Sequence, residues 1–105
     1  MTMTVVVTRN VAPRYRGFLT SVMLEIAPGV YTGPRMSRGV RDRVWKVLSA
    51  WFEASATVGQ NAEDGASIVM TWRDREAEGG QGILTLGAPA KTLVEADGIF
   101  IVKRL

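Results

Sequence analysis

Arg9, Arg14 and Arg16 flank the short segment Asn10-Val11-Ala12-Pro13, which leads from an apolar run, TVVVT at Thr4 to Thr8, into a stretch of helical spacing. The end of a strand beside a helix N-terminus leaves backbone N–H groups unpaired, and such groups favour anions. Arginines there add charge and a planar fork of donors suited to phosphate. The corner is therefore read as a place to hold something polyanionic. It contains no carboxylate that would hold a metal ion. A second set of cations follows: Arg35, then Arg38 and Arg41 one turn apart at the start of a second helix, with Arg43 and Lys46 further round. Only Asp42 is near enough in sequence to pair with them. Arg38 and Arg41 are expected on the exposed side, either touching phosphate or simply solvated.

The elements that must carry these residues follow from periodicity. Met3 to Thr8 reads as a first strand, aliphatic on both parities and so buried on both faces. Pro13 suits the first turn of a helix. Tyr15, Phe18, Leu19, Val22, Met23 and Ile26 then follow helical spacing and form a core stripe. Gly17 within it suggests close approach by a backbone or partner, and Leu24 to Ala27 could already be extended. Pro28-Gly29 signals a turn, with Val30-Tyr31-Thr32 as a short returning strand. Ser37 is the expected N-cap of the second helix, whose stripe is Val40, Val44, Val47, Leu48 and Trp51, with Trp45 and Phe52 at its edges. Ala56 to Gly65 reads as a flexible inserted loop, Ser67 to Trp72 as a strand, and Asp74 to Gly82 as an acidic, glycine-rich connection. Asp74, Glu76 and Glu78 are read there as solvated. Ile83 to Leu86 is a further strand, Gly87 to Thr92 a loop carrying Lys91, and Ile99 to Val102 a last strand.

The order β-α-β-β-α-β with extra C-terminal strand or strands defines an α+β chain, a ferredoxin-like sandwich on an antiparallel sheet. Residues 1–105 make one domain, with 1–86 as its core and 87–105 as an extension for dimer or partner contact. Two helices cover one face, and an uncovered apolar face favours a homodimer; the last strands are candidates for adding to a partner's sheet.

Composition narrows the function. With no cysteine and no histidine among 105 residues, disulfides, thiolate and imidazole metal sites, and Ser-His-Asp or Cys-His catalysis are excluded. Any metal would be a hard ion held by oxygens. No apolar run reaches the ~18 residues of a membrane span, and with no signal peptide the chain is expected to be cytoplasmic. Residues 1–52 carry eight basic side chains against two acids, a balance of +6; residues 53–105 carry five against eight, a balance of −3. Such segregation suits a nucleic acid or another polyanion.

Six blocks carry a resemblance: VVVTRNVAPRYRG at the start, LEIAPGVYTG from Leu24, RDRVWK in the second helix, SIVMTW from Ser67, TLG from Thr85 and EADG from Glu95. In this order they resemble the CRISPR-associated protein two family, in its short type I-E branch. The resemblance implies a ferredoxin-like homodimer that bridges two dimers of the CRISPR integrase subunit. The bridge holds a prespacer DNA duplex on a basic platform for spacer acquisition, and its C-terminal strands bind the integrase. By position the platform arginines correspond to Arg14 and Arg16, with Arg38, Arg41 and Lys91 as further DNA-binding positions. Where a basic pair is expected near the second-last loop, this chain has Ala90-Lys91.

Many family members are described as magnesium-dependent endonucleases with an acid just after the first strand. Here that position is Arg9, followed by Asn10, and an arginine repels Mg²⁺. Glu25, placed by the stripe at the end of helix one, is expected far from the strand-1 end. The chain is accordingly expected to act as a non-catalytic scaffold needing no cofactor, with Mg²⁺ required only if it is instead a nuclease cutting RNA or DNA. An unrelated ferredoxin-like RNA-binding or regulatory module is the other alternative. Such a module stacks bases on strand aromatics, and TVVVT offers none.

Overall fold

A computed structural model describes residues 2–57, 65–87, 91–96 and 99–104; for 56–57 and the last two segments it describes the backbone alone. The chain runs β1 (Thr2–Arg9), α1 (Pro13–Val22), β2 (Leu24–Ala27), β3 (Val30–Met36), α2 (Arg38–Thr57), β4 (Ser67–Arg73), a 3₁₀ turn η1 (Glu78–Gly80), β5 (Gln81–Leu86), β6 (Lys91–Ala96) and β7 (Ile99–Arg104). Five strands form one antiparallel sheet in the order β2-β3-β1-β4-β5, and β6 and β7 pair as a separate hairpin. The first four strands have the ferredoxin-like order, and β5 extends the sheet beyond β4.

β1 is the central strand because its residues suit burial on both sides. It pairs antiparallel with β3 and with β4, so that Val6 stands between Tyr31 and Met70. Those three side chains share one sheet face and are buried with Tyr15 and Leu19 of α1, Met23 just after it, and Val44 and Leu48 of α2. Residues of the other parity are less covered: Met3 is 55% exposed and Val7 42%. A pleated strand sends successive side chains to opposite faces, so this second apolar face is a property of β1 itself.

Local chemistry explains the connections. Asn10 takes φ 55°, a left-handed conformation that asparagine tolerates, and so turns the chain out of β1. Pro13 opens α1. The helix stops at Val22, where Met23 becomes extended and its N–H donates to the Leu19 carbonyl at 2.7 Å. The expected stripe therefore breaks there. Tyr15, Leu19 and Met23 are buried, Phe18 is half-buried, and Val22 and Ile26 are exposed because Leu24–Ala27 leaves the helix to pair with β3. Nothing among the described residues comes within 4 Å of a Cβ placed on Gly17, so no close approach accounts for that glycine.

Several boundaries also move. β3 continues past Thr32 to Met36, with an irregularity opposite Thr2–Thr4 that accommodates Pro34; proline is tolerated where a ladder is already interrupted. α2 starts at the expected cap, with the Val40 N–H donating to Ser37 Oγ at 3.2 Å. It runs through Ala56 and Thr57, where a loop is expected, and residues 58–64 of that expected loop lie outside those described. Val40 is exposed, while Trp45, Trp51 and Phe52 pack half-buried against the core. The acidic connection holds η1, β5 begins at Gln81, and Lys91 opens a strand where a loop is expected. Among the described residues no helix is long and apolar enough to cross a membrane.

The β2–β3 turn is bound to β1. The Thr8 N–H and Thr8 Oγ1 both donate to the Gly29 carbonyl, at 2.7 and 3.1 Å. Gly29 has φ 77°, and a Cβ there would lie 2.7 Å from the Thr8 carbonyl oxygen. Gly29→Ala is thus expected to cost roughly 2 kcal/mol, from the left-handed backbone and the steric overlap together. Urea denaturation should show a lowered midpoint with an unchanged slope; a midpoint equal to wild type would mean the turn relaxes freely.

Candidate nucleic-acid interface

Four of the five expected DNA-binding positions separate into two places. Arg14 and Arg16 lie on the first turn of α1, beside the end of β1 where Arg9 and Asn10 stand. Arg38 and Arg41 lie on the first turn of α2, at the opposite end of the sheet, near Thr2 and Trp72. The fourteen-residue rise from Arg41 to Ser55, which touches Arg14, is about 21 Å of helix. Lys91 begins β6, and its side chain is outside the described residues.

At the β1–α1 corner Arg14 and Arg16 each have their own support. Arg14 is exposed, yet its guanidinium lies 4.9 Å from the Trp51 ring centroid and 5.6 Å from that of Tyr15, and its Nη2 donates to Ser55 Oγ at 3.3 Å. Trp51 is itself fixed edge-on by Tyr15 and Phe18, with ring centroids 5.5 Å apart in both pairs. A cation over an indole is held electrostatically without losing its charge to a carboxylate. Arg16 behaves differently. Its side chain is 70% exposed, and its Nε and Nη2 both reach Glu25 Oε1 at 3.1 Å.

Glu25 therefore sits beside the strand-1 end, which corrects the sequence expectation. The reason is the early end of α1: once Leu24–Ala27 is a strand parallel to β1, residue 25 pairs with Tyr31 and faces the groove lined by Thr8, Asn10, Pro13 and Arg16. Glu25 Oε2 accepts from the Gly29 N–H at 3.1 Å. That bond, together with the Arg16 charge, holds its carboxyl below the usual carboxylate range. Tyr31, behind it, is pushed up by burial and by the Glu25 charge.

A magnesium ion does not fit this corner. Arg9 occupies the position after the strand, Asn10 offers a neutral carboxamide, and both Glu25 oxygens are engaged by the Gly29 N–H and Arg16. Among the described residues no group of three acids converges on a common point.

At the other end, Arg38 is exposed but Arg41 is not. Only 8% of Arg41 is accessible, with its guanidinium 4.4 Å from the Trp72 ring centroid. The expectation of an exposed Arg41 fails because positions 41, 44, 48 and 55 share the buried face of α2, while Val40 is rotated out of it. The signal was present in the spacing, but an arginine at a stripe position reads as surface. Trp72 is the platform for this cation. Its indole lies across Gly82, where a Cβ would collide with the ring.

With the geometry in place, comparison with known proteins identifies the relationship: the family model described as CRISPR-associated protein (Cas_Cas2CT1978) matches residues 3–101. Nearly the whole chain is covered, and the chain belongs to this CRISPR-associated family.

The Glu25 contacts have a pH signature. A carboxyl held low in the folded state contributes stability above its ordinary value of 4.5, which is lost as pH falls through the lowered folded-state value. Glu25→Gln should therefore melt below wild type at neutral pH, with the gap narrowing as pH drops below 4.5. A gap that stays constant with pH would show that the carboxylate charge plays no part.

Proposed function

We propose that this chain is a non-catalytic, DNA-binding scaffold of the CRISPR adaptation machinery, of the type I-E kind. In this reading two copies form a homodimer through the apolar far face of the sheet, bridge dimers of the integrase subunit, and hold a prespacer duplex for insertion as a spacer. The observation that carries it is the β1–α1 corner, where Arg14 and Arg16 are exposed and each is anchored from behind, by Trp51 and Ser55 or by Glu25. Held cations lose less side-chain freedom when they meet a phosphate.

The duplex would be gripped through its backbone. Contacts to phosphate set position and carry no base sequence, which suits a scaffold that must accept any foreign segment. Two-fold symmetry doubles each cluster, so Arg14 and Arg16 of both protomers would lie along one duplex, joined by the exposed Arg38 and by Lys91. Arg41 is set back from that surface. The apolar side chains Met3 and Val7 supply the material for the dimer contact, and the β6–β7 hairpin, outside the main sheet, is the part available to an integrase partner. The magnesium-nuclease alternative has no supporting donor set at the corner, and nothing in the sheet favours the RNA-stacking alternative.

The test is fluorescence anisotropy of a labelled duplex with this chain and its integrase partner, across several salt concentrations with Mg²⁺ present, the DNA being checked afterwards for cutting. Binding of uncut duplex should weaken with salt by a log–log slope of about −0.9 per neutralised phosphate. Arg14→Glu/Arg16→Glu should flatten that slope and weaken spacer acquisition, with the fold intact by circular dichroism and a melting temperature lowered by the loss of the Arg16–Glu25 pair. Acquisition at the wild-type level in the double variant, or Mg²⁺-dependent cutting by this chain alone, would sink the scaffold reading.

A further inference from the structure

We propose that the pocket between the start of α2 and the end of β4, built around Arg41 and Trp72, is a docking site for a protein partner. It would receive an acidic side chain flanked by basic residues. The starting point is an unbalanced charge. Arg41 is more than nine-tenths buried and lines a cavity of about 510 Å³. Its Nε has no hydrogen-bond partner, and among the described residues no carboxylate lies within ion-pair distance of its guanidinium. Its guanidinium lies 4.4 Å from the Trp72 ring centroid. Burying an ion without a counter-ion is strongly unfavourable, whereas a carboxylate meeting the planar guanidinium fork satisfies charge and donors together.

The helix adds to this. Arg41 belongs to the first turn of a twenty-residue helix, where unpaired N–H groups favour negative charge. The indole that backs the guanidinium is held in place by the bare Gly82 strand beneath it. Arginine and tryptophan are also among the residue types enriched at the energetic hot spots of protein interfaces.

The mouth of the pocket separates a protein ligand from a nucleic acid. Arg38, Arg73 and Arg75 stand around it, but so do Asp42, Asp74 and Glu76. Of these acids Asp74 is fixed in place. Asp74 Oδ1 accepts from the Glu76 N–H at 3.0 Å, and the Asp74 N–H donates to the Gly80 carbonyl at 2.9 Å, so the 74–80 turn is tied down where it borders the pocket. A DNA strand brings a negative charge at every step and would set some of them against these acids. A protein segment can bring one carboxylate to Arg41 and place lysines or arginines against Asp42, Asp74 and Glu76. Mixed signs around one buried cation fit the second pattern.

The experiment uses the full chain labelled with 5-fluorotryptophan, whose Trp72 ¹⁹F resonance is assigned from Trp72→Phe. The probes are acetyl-Lys-Glu-Lys-amide, its Gln counterpart, and inorganic phosphate, all at matched ionic strength. The Glu peptide should shift the Trp72 resonance saturably and bind about tenfold more tightly than the Gln peptide or phosphate, reflecting the loss of a carboxylate–guanidinium fork. Arg41→Met should abolish the shift while keeping or raising the melting temperature, since it removes an unpaired buried charge. Arg41→Lys, which keeps the charge without the fork, should weaken it. Phosphate binding better than the Glu peptide would reassign the pocket to nucleic acid and overturn the proposal. So would no saturable shift with any probe, or a shift that survives Arg41→Met.

Discussion

The structure depends on β1 being hydrogen-bonded on both sides. With β3 on one flank and β4 on the other, β1 cannot shift register without moving its whole apolar set to the wrong face. That constraint places Val6 under the helices between Tyr31 and Met70. It also turns Met3 and Val7 to the far side and fixes where the two ends of the strand lie. Each end then receives a helix N-terminus, α1 at the Arg9 end and α2 at the Thr2 end. The two basic clusters are separated for this reason, even though the sequence shows them as one cationic half of the chain.

What was legible in the sequence follows from the same physics. Strand β1, the Pro28-Gly29 turn, the Ser37 cap and the order of elements rest on local signals, and local signals survive folding. The end of α1 was less readable, because Ile26 continues the helical spacing and only its pairing with β3 takes the segment out of the helix. Glu25 moved with it, from a supposed helix end into the groove beside Asn10. Arg41 was misplaced for a different reason. Its spacing to Val44 and Leu48 marks it as inward-facing, but burial of a cation runs against composition-based expectation. Only the Trp72 ring, thirty-one residues away in the chain, accounts for it. Such tertiary partners leave no local trace.

The three arginines with defined partners are restrained by three degrees of pairing. Arg16 has a full carboxylate, Arg14 has a hydroxyl and two aromatic faces, and Arg41 has one indole. An ion pair at the surface is weak and screened by salt, so Arg16 can exchange Glu25 for another anion or share itself between the two. Among the described residues Arg14 has no carboxylate partner while its long side chain is braced, which in the proposed reading makes it the better-prepared phosphate ligand. Arg41 is the most restrained and the least compensated of the three. The ordering separates electrostatic reach, which belongs to the exposed pair, from the demand for a counter-ion, which belongs to the buried one.

The same accounting bears on chemistry at the strand-1 end. A divalent cation needs oxygens that are not already satisfied and no competing positive charge nearby. Glu25 gives one oxygen to the Gly29 N–H and the other to Arg16, and its depressed proton affinity reflects how fully those partners use its charge. Removing Arg16 would free one oxygen, but Arg9 would remain at the strand terminus and Asn10 would stay in its left-handed turn. Creating a cation site here would therefore take several coordinated changes. In the proposed reading this corner holds a negative ligand, and the contacts that arrange it come from the backbone of the β2–β3 turn as much as from the arginines themselves.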